Sequence, residues 1–254
     1  MKNVNISTEP SCSQSGIDVL NEMEGSLTGY DCKKCRNKGG IYYEKDGCEY
    51  FRVCECMKIR ESLRRIERSG LGRLLGRYTF RDYLTTEPFQ RSIKTGAQDF
   101  LTDCEENWFF IGGQVGCGKT HICTAIVGEL LNQGREAQYM NWRDEVTRIK
   151  ANANTADYCK LLKPFKTAEV LYIDDLFKTE RTKNPTTADI NIAFELFNYR
   201  YINRGLITVI SSEKTINELI DVDEAVGSRI HEMSVKYCFS ISPDRSKNYR
   251  LKSV

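Results

Sequence analysis

Gly113-Gln114-Val115-Gly116-Cys117-Gly118-Lys119-Thr120 satisfies the phosphate-loop pattern G-x-x-x-x-G-K-[ST] at every fixed position. Its flanks match as well. Trp108-Phe109-Phe110-Ile111 reads as a buried strand entering the loop, and His121 to Leu131 as the helix leaving it, with Ile122, Ala125, Ile126 and Leu130 at helical spacing. Glycines let the backbone curl so that successive N–H groups point at phosphate oxygens, and the helix N-terminus adds about half a positive charge behind them. Gly113, Gln114, Val115, Gly116, Cys117, Gly118, Lys119, Thr120 and His121 are therefore the expected binders of a nucleoside triphosphate. Lys119 would reach the β- and γ-phosphates, and Thr120 would offer its hydroxyl to Mg²⁺.

A second motif lies downstream. Val170-Leu171-Tyr172-Ile173-Asp174-Asp175 is an apolar run followed by two carboxylates, the pattern of a Walker B strand. Asp174 is expected to hold the Mg²⁺ shell, and Asp175 to orient and deprotonate the attacking water. Further buried strands are predicted at Ala137 to Met140, Leu206 to Ile210 and Val235 to Ile241, with helical stretches between them. Asn141 caps one such helix, a second runs from about Ala156 to Leu162 and stops before Pro164, and Thr215-x-x-Glu218 is a capping box. Strands alternating with helices predict an α/β fold with a parallel sheet covered on both faces. Tyr78, Phe80 and Tyr83 open this domain and are read as core in preference to contacts with a nucleotide base.

Upstream, Cys32-Lys33-Lys34-Cys35 and Cys54-Glu55-Cys56 are separated by 18 residues. Two close pairs at this distance fit a tetrahedral Zn²⁺ held by four thiolates. Gly39-Gly40 and Asp46-Gly47 would turn a small ribbon between them, which is too short to fold without its metal. With all four positions filled by Cys32, Cys35, Cys54 and Cys56, the zinc would be structural. Cys48 sits at the ribbon tip and is a weaker ligand choice, and the remaining cysteines are read as unpaired thiols.

The 254 residues carry a net charge of +2, so global charge names no partner. Locally, Met57 to Arg81 holds eight Lys and Arg against Glu61 and Glu67. Lys58 to Ser69 reads as a basic helix, open to a plain linker role or to binding nucleic acid or a partner. The expected organisation is a flexible segment 1–30, a Cys₄ module 31–57, a basic helical linker 58–77 and an ATPase domain 78–254. No apolar run approaches the ~18 residues of a membrane span. No apolar stretch follows Met1-Lys2-Asn3-Val4, so a cytoplasmic protein is expected.

The order of phosphate loop, Asp-Asp strand, Phe197-Asn198-Tyr199-Arg200-Tyr201, Gly227-Ser228-Arg229-Ile230 and Tyr249-Arg250 resembles an AAA+ ATPase. More narrowly it resembles the DnaC/DnaI type of replicative-helicase loader, with IstB-type transposition helpers close by. That likeness spans about Tyr78 to Val254, and the Cys₄ module resembles the N-terminal domain of DnaI-like loaders. It implies a five-stranded core without a helical lid, and about thirteen residues follow the last predicted strand. It also implies self-assembly through the ATPase domain, binding of single-stranded DNA, and delivery of a ring helicase bound through the N-terminal region. Ser212 falls at the sensor 1 position, Arg250 at the terminal sensor 2-like arginine, and Arg229 at the arginine finger. Asp175 stands where many AAA+ proteins carry Glu. Met233 stands where a second finger arginine is common, which lets Arg200 or Arg204 compete with Arg229 for that role.

Candidate DNA contacts are Arg143, Arg148, Lys150, Lys178, Arg181 and Lys183, on segments that follow core strands. Two rival readings stand beside the loader. One is a nucleotide-gated adaptor with negligible hydrolysis, and the other is an IstB-like transposition helper.

Overall fold

The computed structural model describes residues 16–68, 71–179 and 184–251, in two compact units that divide between Arg60 and Glu61. In the second unit the expected five-stranded parallel sheet forms from β3 (Phe109–Gly113), β4 (Ala137–Asn141), β5 (Val170–Leu176), β6 (Ile207–Ser212) and β7 (Cys238–Ile241), in the order β4-β5-β6-β3-β7. Strand side chains alternate between faces, and two apolar cores follow from that. Phe109, Ile111, Val170, Tyr172, Ile207 and Val209 point to one core, while Phe110, Leu171, Ile173 and Ile210 point to the other. The first core is closed by α4 (Pro88–Asp103) through Ile93, Ala97 and Phe100, and by α5 (Lys119–Asn132) through Ile122, Ile126 and Leu130. The second is closed by α6 (Trp142–Ala151), α7 (Asp157–Thr167), α8 (Thr187–Ile202), α9 (Ile216–Val222) and α10 (Glu224–Ser234).

Local sequence explains most helix starts. Asn141 accepts from the Asp144 N–H, and Thr215 with Glu218 forms the reciprocal capping box. The expected stop before Pro164 does not occur, because α7 continues through the proline to Thr167. Phe165 is buried in the second core, and the Arg200 guanidinium from α8 donates to the carbonyls of Phe165 (3.1 Å), Lys166 (3.2 Å) and Ala168 (2.9 Å) at the end of α7. A residue named as a competitor for the finger role is thus fully buried and caps a helix end.

The first unit contains α1 (Gly16–Glu22) and the antiparallel hairpin β1 (Gly40–Lys45) and β2 (Cys48–Val53). Asp46 and Gly47 make its turn with φ of 53° and 75°, the left-handed pair that a two-residue hairpin loop favours. Within the segment expected to be flexible, Gly16–Glu22 forms α1. The Asn21 side chain bonds Tyr42 through both its backbone O (2.8 Å) and N–H (3.0 Å), and Lys38 Nζ donates to the carbonyls of Asn21 and Met23. These are long-range polar bonds with no local signature. Residues 1–15 of that segment lie outside the described residues. The predicted basic helix is α2 (Cys56–Arg68), which begins at a cysteine of the cluster. No described helix is long and apolar enough to cross a membrane.

Candidate functional site

The phosphate loop leaves β3 at the carboxyl end of the sheet, where open parallel sheets place their ligand crevice. Gly113, Gly116 and Gly118 have φ of 101°, 74° and 97°, so three loop positions need conformations that side chains resist. A Cβ at Gly116 would meet Asn248 Oδ1 at 2.0 Å. The chain after β7 therefore packs on the loop, and Tyr249 N donates to Gly116 O (3.0 Å). A cavity beside the loop is lined by Val115, Gly116, Gly118, Lys119, Thr120 and His121, and by Tyr78, Asp175, Lys178, Glu213 and Arg250.

Lys119 is buried and donates to Gly113 O and Gln114 O at 2.8 Å each. Burial holds its ammonium below the usual lysine range. Gln114 bonds the Asp244 N–H through Oε1, and the buried Cys117 donates its thiol to Gln114 O (2.9 Å), so Cys117 braces the loop from inside. His121 donates or accepts at Thr79 O (2.9 Å) through Nε2 and stacks on Tyr78, with ring centroids 4.6 Å apart. Burial lowers the His121 imidazole below its usual range. Of the three aromatics expected to be core, Phe80 and Tyr83 are buried there, but Tyr78 lines the cavity and offers a stacking face.

The two carboxylates of β5 sit in a bulge. Ile173 pairs with Ile210, and the ladder resumes only at Leu176 and Ser212, so Asp174 and Asp175 together oppose Ser211. Asp174 accepts from Tyr172 OH (2.7 Å), Tyr139 OH (3.2 Å) and Ser211 Oγ, and Thr120 Oγ1 lies 3.4 Å away. Thr120 and Asp174 present the hard oxygen donors that suit Mg²⁺. Asp175 takes a left-handed φ of 57°, gives its N–H to Ser211 Oγ (3.1 Å) and turns its carboxylate into the cavity. There it pairs with Lys178 Nζ (2.7 Å), which also reaches Glu213 (3.0 Å).

That geometry moves several sequence assignments. Ser212 does not face the cavity: its hydroxyl donates to Leu176 O (2.8 Å), because the bulge shifts the register by one and puts Ser211 against the acidic pair. Lys178, assigned to DNA, is held at the nucleotide cavity by Asp175 and Glu213. It also borders a neighbouring groove with Arg143 and Lys150, and Lys150 is paired with Asp189 (2.7 Å). Arg148 pairs with Glu145 on its own helix. Arg181 and Lys183 lie outside the described residues. Arg250 lines the cavity. Arg229 is elsewhere, on α10, bonded to Ala225 O (2.6 Å) and stacked over Phe194 and Tyr201. Arg200 leaves the contest for a finger because it is buried, whereas Arg204 is exposed and pairs with Glu232 at 3.7 Å.

In the first unit the sulfurs of Cys32, Cys35, Cys54 and Cys56 lie within 4.8 Å of one another, all buried. Cys32 and Cys54 are 3.8 Å apart, Cys35 and Cys56 3.5 Å. A zinc–sulfur bond of about 2.3 Å in a tetrahedron separates its sulfurs by about 3.8 Å, so these four could hold one such ion. Burial pushes the Cys56 thiol up to about 12. At Cys35 burial is outweighed by the Gly39 backbone bond and the other thiols, which bring it down to about 7. Arg60 supports the cluster from beneath. Its buried guanidinium donates to Thr28 O, Tyr30 O and Asn37 Oδ1, and Asn37 Oδ1 also takes the Cys32 N–H. Cys48 is exposed and outside the cluster.

Residues 58–253 match the family described as IstB-like ATP binding protein. The phage-like element PBSX protein XkdC of Bacillus subtilis (strain 168) is 32% identical over 246 residues, 91% of this chain and 90% of XkdC. Among solved structures, the DnaC helicase loader superposes with a TM-score of 0.55 at 20% identity, over 67% of this chain and 98% of that one. DnaI gives 0.54 at 18% identity, over 67% and 92%. AMPPCP-bound DnaA from Aquifex aeolicus shares the fold with a TM-score of 0.53 at 19% identity, and the match spans about half of its length, 49%.

Proposed function

The chain belongs to the IstB-like ATP-binding family, an AAA+ lineage, and from its site we propose that it is an ATP-hydrolysing helicase loader. It would bind a replicative ring helicase through its N-terminal unit and deliver it to single-stranded DNA. The observation that carries the ATPase part is the joining of two motifs: Thr120 of the loop helix lies 3.4 Å from Asp174, beside an Asp175 turned into the same cavity. The loader part rests on the Cys₄ cluster ahead of this ATPase and on the likeness of fold to DnaC and DnaI.

In this reading Lys119 leaves the carbonyls of Gly113 and Gln114 for the β- and γ-phosphates, and Tyr78 stacks against the base. Tyr139, Tyr172 and Ser211 saturate Asp174 with hydroxyl donors and keep it a fixed anion aimed at Thr120. Mg²⁺ bound by Thr120 and Asp174 would neutralise charge on the phosphate oxygens. Asp175 takes the proton of the attacking water as its oxygen bonds the γ-phosphorus; the bond to the bridging oxygen breaks, and ADP leaves with the electron pair. Arg229 does not line its own cavity and in this reading would serve a neighbouring copy. Zinc at Cys32, Cys35, Cys54 and Cys56 would act structurally. Arg143 and Lys150 remain the DNA candidates on one groove.

The adaptor reading is favoured by one observation, the Lys178 ammonium neutralising Asp175. Phosphate release, measured alone, with single-stranded DNA and with a ring helicase, separates the two. Stimulated turnover supports the loader, and flat, negligible turnover in all three supports the adaptor.

A further inference from the structure

The acidic pair of β5 is followed by a cation whose place the loader reading does not use. Asp175 and Lys178 are joined twice: the Lys178 N–H donates to Asp175 O (2.9 Å), closing a turn, and Nζ grips Asp175 Oδ2 (2.7 Å). Within that turn Phe177 also takes a left-handed φ of 57°, and it is locked in the second core against Trp142. Such backbone is strained and persists only where packing over-determines it. The turn therefore fixes where the Lys178 stem starts, while its side chain stays 37% exposed and its ammonium pairs with two anions, Asp175 and Glu213. Burial lowers the Lys178 ammonium, and the two carboxylates more than reverse that, so the group stays charged.

An Asp175 oxygen that already accepts from the Lys178 ammonium is not free to bond an attacking water. A bound nucleoside triphosphate brings several negative charges to the cavity that Lys178 lines beside Lys119, Thr120 and Arg250. We propose that Lys178 is a positioning residue of the hydrolysis reaction: it clamps Asp175 in the nucleotide-free chain, then shifts to the terminal phosphate of bound ATP and so frees Asp175 for the attacking water. Glu213 keeps the ammonium at the cavity mouth during the exchange. A nucleoside diphosphate lacks the terminal phosphate, leaves the clamp closed and gains nothing from Lys178. The inference rests on the ATP-binding reading of this cavity.

The test is the affinity of the full chain for Mg-ATPγS and for Mg-ADP, by calorimetry, in wild type, Lys178→Ala and Lys178→Arg. Loss of one partly exposed charge beside the terminal phosphate should weaken ATPγS about tenfold and leave ADP within about twofold. Lys178→Arg should restore the preference, which a merely structural role would not require. Equal weakening of both nucleotides, no change in either, or a loss confined to single-stranded DNA binding overturns the proposal. Failure of the wild type to bind either nucleotide overturns the ATP reading, and this inference with it; an unchanged ATPγS preference in a binding-competent Lys178→Ala overturns this inference alone.

Discussion

Replacing Arg200 with Lys separates a buried strut from a catalytic finger. Arg200 makes five hydrogen bonds: to Thr208 Oγ1 (2.9 Å), to the carbonyls of Phe165, Lys166 and Ala168, and to Ile207 O (2.7 Å). A lysine ammonium has three donors on one atom. At least two of the five acceptors must then go unpaired in the interior. Each costs about 1–3 kcal/mol, so Arg200→Lys should destabilise the second unit by about 3 kcal/mol. For a unit of this size about 2–4 °C is lost per kcal/mol, which predicts a drop in Tm of roughly 6–12 °C. Calorimetric melting reads that drop directly. ATP affinity, measured well below the transition and normalised to folded protein, should stay within about twofold, because no Arg200 atom lines the cavity. An unchanged Tm together with a large loss of assembly-dependent hydrolysis would refute the strut and return Arg200 to the role of finger.

Other outcomes follow from the remaining features. Metal analysis should find one zinc per chain, and chelation should unfold the first unit while ATP binding persists; freshly purified protein without zinc contradicts the Cys₄ assignment. Arg229→Ala should bind ATP normally but lose cooperative assembly and stimulated turnover, since a finger supplied by a neighbour is typically worth about 10³–10⁵ in rate. Mixing Arg229→Ala with Asp175→Asn should regain part of the activity, and a dead mixture of chains that still assemble rules out a shared site.

How much of this was legible in the sequence depends on the range of the interaction. The phosphate loop is local: its glycines, lysine and threonine occupy consecutive positions, and the loop forms beside a strand and helix that the periodicity predicts. Caps such as Thr215 with Glu218 are equally local. Failures came where distant segments decide. The bulge in β5 depends on pairing with β6, and its register shift exchanges Ser211 for Ser212 at the acidic pair. Arg200 falls at helical spacing from the buried Ala193, Leu196 and Phe197, but its charge argued against burial, because the backbone carbonyls that satisfy it belong to another helix and strand. Lys178 looked like part of a basic loop, yet a turn only three residues after Asp175 returns it to the cavity. Tyr78 gave an available signal, an aromatic just ahead of the ATPase core, but composition alone could not separate packing from stacking.

The most direct test of the central claim is nucleotide turnover by one purified chain compared with two substitutions. Bound Mg-ATP and released phosphate would be measured in parallel for wild type, Lys119→Ala and Asp175→Asn. Lys119→Ala should lose tight binding, because the loop loses its cation, whereas Asp175→Asn should bind ATP and release phosphate at least about a hundredfold more slowly, the scale of a lost general base. Binding without turnover in the wild type, or full turnover in Asp175→Asn, would contradict the account.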